Sequence, residues 1–174
     1  MFSRKDQLIK RTGEYGIGRY DFLRQLINEF ATTTSYENKK QTLANLANFS
    51  YDPINYDFIK QLHLIDLFLS ELSNDQEELI HFALAGLCNL SCDPEIQEYI
   101  ISLNGIKLIS GYLQHDNIEI SLNALTTLYY LFETRTHLIT KEIESVISKQ
   151  ELSSNQRLKN LASVFLLAYC PKAK

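Results

Sequence analysis

Leu43–Pro53 reads LANLANFSYDP, and Leu84–Pro94 reads LAGLCNLSCDP. Leu46 and Leu87, Asn48 and Asn89, Asp52 and Asp93, and Pro53 and Pro94 each stand 41 residues apart. Self-similarity at that period marks stacked helical repeats, in which each unit buries its apolar face only against its neighbours. The offset holds beyond the turn: Phe58, Ile59, Leu62, Ile65 and Phe68 return as Tyr99, Ile100, Leu103, Ile106 and Ile109. The fold class is therefore read as all-α, a short right-handed α-solenoid with three helices per unit.

Local signals set the element boundaries. Leu43, Leu46 and Phe49 form one stripe of a helix, with Ala44 and Ala47 small enough for close neighbours. Asp52 is a good N-cap and Pro53 a good first helical residue, so the tripeptide that ends one helix starts the next. A further helix follows from Leu64 to Leu72. In the second unit Gly105 is expected to supply a positive φ at the turn between the two shorter helices; Leu64 stands there in the first, so that turn should close differently. In the third unit Ala124, Leu125, Leu128 and Leu131 keep the pattern, but ETRTH replaces the Asp-Pro turn and the helix around Ile143, Val146 and Ile147 comes early.

The expected organisation is a basic, flexible arm over residues 1–18 and one repeat domain over 19–174. The domain divides into a capping helix at 19–31, repeats at about 36–75, 76–116 and 117–152, and a closing helix at 156–170. The closing helix carries an apolar run, Val164 to Leu167, that needs cover on several sides. In the arm, Arg4, Lys5, Lys10 and Arg11 with Tyr15 and Tyr20 have the chemistry to touch phosphates and stack on bases, and equally the scatter of an ordinary disordered tail.

Composition narrows the class. The 174 residues are 45% hydrophobic, enough for one core, with no apolar run long enough to span a bilayer and no signal-peptide core near the start. An intracellular protein with no membrane partner is expected. The three cysteines have no CxxC spacing, and Cys88 and Cys92 read as buried or half-buried free thiols on one side of a helix. Residues 1–51 hold eight bases and five acids (+3), 52–98 one base and ten acids (−9), and 99–174 eight bases and six acids (+2). The acidic middle disfavours nucleic acid and favours a basic partner, or is simply a solvated helix surface.

Chemistry is sparse. There is no HExxH, no phosphate-binding glycine loop and no nucleophile elbow, and GEYGIG at residues 13–18 precedes no strand. His63, His81, His115 and His137 are scattered, and the carboxylates read as caps and solvated faces. The reading is non-enzymatic, with no cofactor, metal or small-molecule substrate.

These residues carry a family resemblance. LANLANFS and LAGLCNLS resemble the third helix of an armadillo repeat, and DPEIQEYIISLNGIKLISGYL its first two helices. More narrowly, GRYDFLRQLINEF, NLANFSYDPINYDFIKQL, AGLCNL and RLKNLASVFL are similar to the armadillo repeat-containing protein 7 family over residues 16–170. The resemblance implies a nuclear protein, present also in the cytoplasm, that acts as a scaffold in the minor spliceosome. It would grip a protein with an RNA recognition motif that handles the capped 5′ end of a small nuclear RNA, touching RNA indirectly. The alternative is a general cytoplasmic adaptor or transport factor for extended peptides.

The resemblance also implies a ladder along a concave groove, with Asn48 and Asn89 as amide rungs, Tyr130 and Ser163 as the third and fourth, and Arg157 and Lys159 as a basic end. An amide can bridge the N–H and C=O of an extended chain without demanding its sequence. Equally, Asn48 and Asn89 can be structural amides that tie adjacent helices, and the two bases simply solvated. Import receptors of this class carry tryptophans one turn earlier; Ala44, Ala85 and Thr126 stand there, and the chain has no Trp.

Overall fold

The computed structural model describes residues 2–4, 6, 7, 10 and 16–171. All regular elements among them are helical. The chain forms two compact units, Met1–Leu90 and Ser91–Lys174.

In the first unit, α1 (Arg19–Thr32) and α2 (Tyr36–Phe49) are joined by an extended link. Leu23 and Phe30 of α1 are buried. The two helices run antiparallel: near the start of α1, Phe22 meets Phe49 edge-on at 5.6 Å, and near its end Phe30 takes the Lys39 ammonium at 4.9 Å. Ser35 caps α2 by accepting from the Asn38 amide. Asp52 then accepts from the Ile54 amide and Pro53 opens a 3₁₀ turn, Pro53–Asn55, as the Asp-Pro signal implies. Two short helices follow, α3 (Tyr56–Gln61) and α4 (Leu64–Glu71), before the long α5 (Glu77–Leu90). Gly86 on α5 is where Phe68 of α4 packs, since an added Cβ would lie 2.4–2.9 Å from the ring carbons.

In the second unit, Asp93 caps α6 (Pro94–Ser102), followed by α7 (Gly105–Ser110) and α8 (Ile118–Leu131). The ETRTH stretch ends in a 3₁₀ turn, Thr136–Leu138, and Arg135 holds it to α6 through Gln97 Oε1, 3.1 Å away, and the Glu98 carboxylate. Thr140 caps α9 (Lys141–Gln150), and Asn155 caps α10 (Gln156–Tyr169). Phe132 and Phe165, both fully buried, meet edge-on at 6.0 Å. Tyr169 packs on Tyr129 with the rings tilted by 41° and donates its hydroxyl to the Tyr129 backbone carbonyl; burial first, then that bond, pushes its phenol well above the usual range.

Two expectations need correction. The left-handed residue at the short turn is not Gly105 but Asn104 (φ 61°), and its counterpart 41 positions earlier, His63, has φ 53°. Both turns therefore close in the same way, one residue earlier than expected. Gly105 serves a close approach instead: a Cβ there would lie 2.4 Å from Ile100 Cγ2 and 2.6 Å from its carbonyl oxygen. The second correction concerns the thiols. The helix bearing Cys88 stops at Leu90, so Cys92 falls in the turn and is exposed, while Cys88 is half-buried.

Candidate protein-binding surface

Asn48, Asn89 and Tyr130 each stand next to last in a helix of 14 residues, α2, α5 and α8. Their shared place in the repeat is therefore real. In α10, also 14 residues long, that place belongs to Ala168. Ser163 lies five positions earlier and donates its hydroxyl to Glu151 Oε1 at 3.2 Å, at the end of α9. The fourth rung is corrected accordingly. α8 starts 41 residues after α5 but α10 only 38 after α8, so counting from the helix start puts the fourth place at Ala168.

The first two rungs differ in their bonding. α2 and α5 run parallel, tied at one end by the Tyr36 hydroxyl donating to Glu78 Oε2 at 2.6 Å. At the other end Asn89 Nδ2 donates to the Ala47 carbonyl at 3.0 Å, and the backbone carbonyl of Asn89 accepts from the Tyr56 hydroxyl at 3.0 Å. Asn89 is thus a structural amide, the alternative left open by the sequence. Asn48 is exposed, and its side-chain amide makes no hydrogen bond among the described residues. The helix before α2 is the antiparallel α1, so Asn48 has no preceding parallel helix whose end could take its amide as Ala47 takes that of Asn89.

Near Asn48 the surface is aromatic and charged. Arg19 lies 4.6 Å from the centre of the Phe49 ring, and Phe2 packs on Tyr51 at 5.6 Å. The Ser3 amide donates to Asp52 Oδ2 at 2.9 Å. Burial raises the Asp52 carboxyl, but the bonds from Ser3 and Ile54 and the charge of Arg19 together hold it below its usual value. The expected RNA contacts of Lys5, Arg11 and Tyr15 lie outside the described residues.

The tie between Tyr36 and Glu78 was not legible in advance, because the partners are offset by 42 residues rather than 41. That bond, and secondarily burial and the Glu78 and Glu37 charges, lifts the Tyr36 phenol to about 12 and holds Glu78 low.

In the second unit Tyr130 is half-buried and meets Tyr129 edge-on at 5.8 Å. Arg157 is not a free basic group: it grips both oxygens of Glu119 on α8, at 2.5 and 3.1 Å, which raises its pKa further. Lys159 is exposed. No group of His, Cys, Asp and Glu among the described residues is placed to hold a metal, and none of their helices is long and apolar enough to cross a membrane.

Tandem helix triplets, each with an Asp-capped first helix and a long third helix, define an armadillo-repeat protein, a scaffold class that presents repeated surfaces to other proteins. Solved structures agree on the fold. Computationally designed armadillo repeat proteins for modular peptide recognition match with a TM-score of 0.69 at 16% identity, covering 87% of this chain and 70% of theirs. A designed armadillo repeat protein in complex with the peptide (KR)4 matches at 0.68 and 14% identity, with the same coverage. An engineered protein matches at 0.72 and 17%, covering 88% of this chain and 68% of its own. No family model matches. Armadillo repeat-containing protein 7 of Mus musculus is 52% identical over 158 residues, 88% of this chain and 80% of that protein. The chain belongs to the armadillo repeat-containing protein 7 family.

Proposed function

We propose that the chain is a non-enzymatic scaffold of the minor spliceosome, working in the nucleus. It binds a protein with an RNA recognition motif that attends the capped 5′ end of a small nuclear RNA, and so supports splicing of minor-class introns. The family resemblance supports the setting. The physical observation that carries the binding mode is Asn48: an exposed amide whose donors and acceptor make no hydrogen bond among the described residues, at a place where armadillo proteins meet an extended chain. In the second unit, Tyr130, Arg157 and Lys159 are the residues proposed to meet the partner.

The experiment is purification of the tagged chain from nuclear extract, with sequencing of the RNA and identification of the proteins that accompany it. Recovery of a protein with an RNA recognition motif and a minor-class small nuclear RNA is expected. Affinity for that protein should then fall about tenfold in Asn48→Ala/Tyr130→Ala, in line with loss of central contacts. Unchanged affinity in that folded variant would remove the surface from the proposal.

A second reading has two observations in its favour: residues 52–98 carry a net −9, and a designed armadillo neighbour is in complex with a Lys-Arg peptide. A general adaptor for extended basic peptides would recover transport factors in the same purification.

A further inference from the structure

The closing helix leaves an apolar surface uncovered. Phe165 is fully buried, but Val164 is 49% and Leu167 79% exposed, and Leu152, in the turn after α9, is 85% exposed. Isolated exposed leucines are ordinary on protein surfaces. Here Leu152 and Leu167 line the same cleft of about 640 Å³ between α9 and α10, together with Leu166 and Cys170. Its charged lining is carboxylate, Glu144 on α9 and Glu151 at that helix's end, with no Lys, Arg or His among the described lining residues. Burial, and then the Glu144 charge, raises the Cys170 thiol, as expected of a neutral group beside an acidic rim.

We infer that this cleft is a second docking site, taken by an amphipathic helix of another protein with apolar residues one turn apart and Lys or Arg along its edges. The walls are helices whose backbone groups are spent internally, so they offer no edge for an added strand; a helix laid into the groove is the mode that fits. Charge selects the occupant. A second copy of this chain, packed about a two-fold axis, would set one acidic rim against the other. A basic-edged helix places cations beside Glu144 and Glu151 while its apolar face covers Leu152 and Leu167. The site is independent of Asn48, which lies in the other unit.

The test uses the full chain and two labelled helical peptides with identical leucines, one edged with Lys and one with Glu. The Lys-edged peptide is expected to bind about tenfold tighter, with the difference shrinking as salt rises. Leu167→Asp should abolish that binding, and Glu144→Lys/Glu151→Lys should reverse the preference, which no mere loss of fold produces. Asn48→Ala should leave it unchanged, so failure here is separable from failure of the proposed ladder. Equal binding of the two peptides, no binding of either, or binding indifferent to Leu167→Asp would overturn the proposal. So would a dimer in sedimentation velocity that Leu167→Asp dissolves, since the occupant would then be a second copy.

Discussion

In the first unit Phe68 of α4 fills the space left by Gly86 on α5; in the second, the positions 41 residues on are Ile109 and Thr127, both fully buried. A large ring against no side chain has been exchanged for two middling ones. Asn48 and Asn89 differ in another way, since the residue is the same and the neighbour changes: one amide faces solvent, the other is spent on Ala47. The two differences teach that a repeat fixes where a side chain starts, while its surroundings decide whether it packs, ties or binds.

The largest effect should come from breaking the packing exchange. Gly86→Thr, which imports the second unit's residue, should cost about 2–3 kcal/mol through overpacking against Phe68. Adding Phe68→Ile should recover more than half of it in a double-mutant cycle followed by urea unfolding. Additive losses would mean that the two pairs are not alternative solutions.

Next comes the amide pair. Asn89→Ala should lose about 1 kcal/mol, the net worth of one hydrogen bond, whereas Asn48→Ala should stay within about 0.5 kcal/mol. Partner affinity should rank the other way, and equal stability losses would erase the distinction between tied and free rungs.

The turns give a smaller effect of either sign. His63→Asn should raise stability by about 0.5 kcal/mol, a part of the roughly 1–2 kcal/mol left-handed penalty that Asn evades best after Gly. Asn104→His should lower it by a similar amount, and calorimetry would read both as shifts in Tm.

The smallest effect is at the solvent-facing clamp of α2 to α5. The Tyr36 phenol is raised, so its contribution is whole below its ordinary 10.0 and is lost as pH rises through about 12. Glu78 is held low, so its contribution is whole above its unfolded value and is lost as pH falls through the folded one. Ultraviolet titration should show Tyr36 ionising late, and Glu78→Gln should return it toward its usual range; no change would leave the parallel pair closed only by Asn89.

What the sequence determined by itself is whatever depends on nearby residues or on the period. The Asp-Pro caps, the three-helix unit, the shortened last repeat and the three aligned places of Asn48, Asn89 and Tyr130 were all legible, because helix spacing and capping are local physics. Counted from the start of the closing helix, the fourth place falls at Ala168 and not at Ser163. Only tertiary structure decided that Asn89 is bonded while Asn48 is exposed, that His63 takes a left-handed turn without glycine, and that Leu152 and Leu167 share an open cleft. Each depends on which helix lies alongside and in which direction it runs. The antiparallel α1 leaves Asn48 without the helix end that Asn89 finds at Ala47, and no spacing within α2 encodes that.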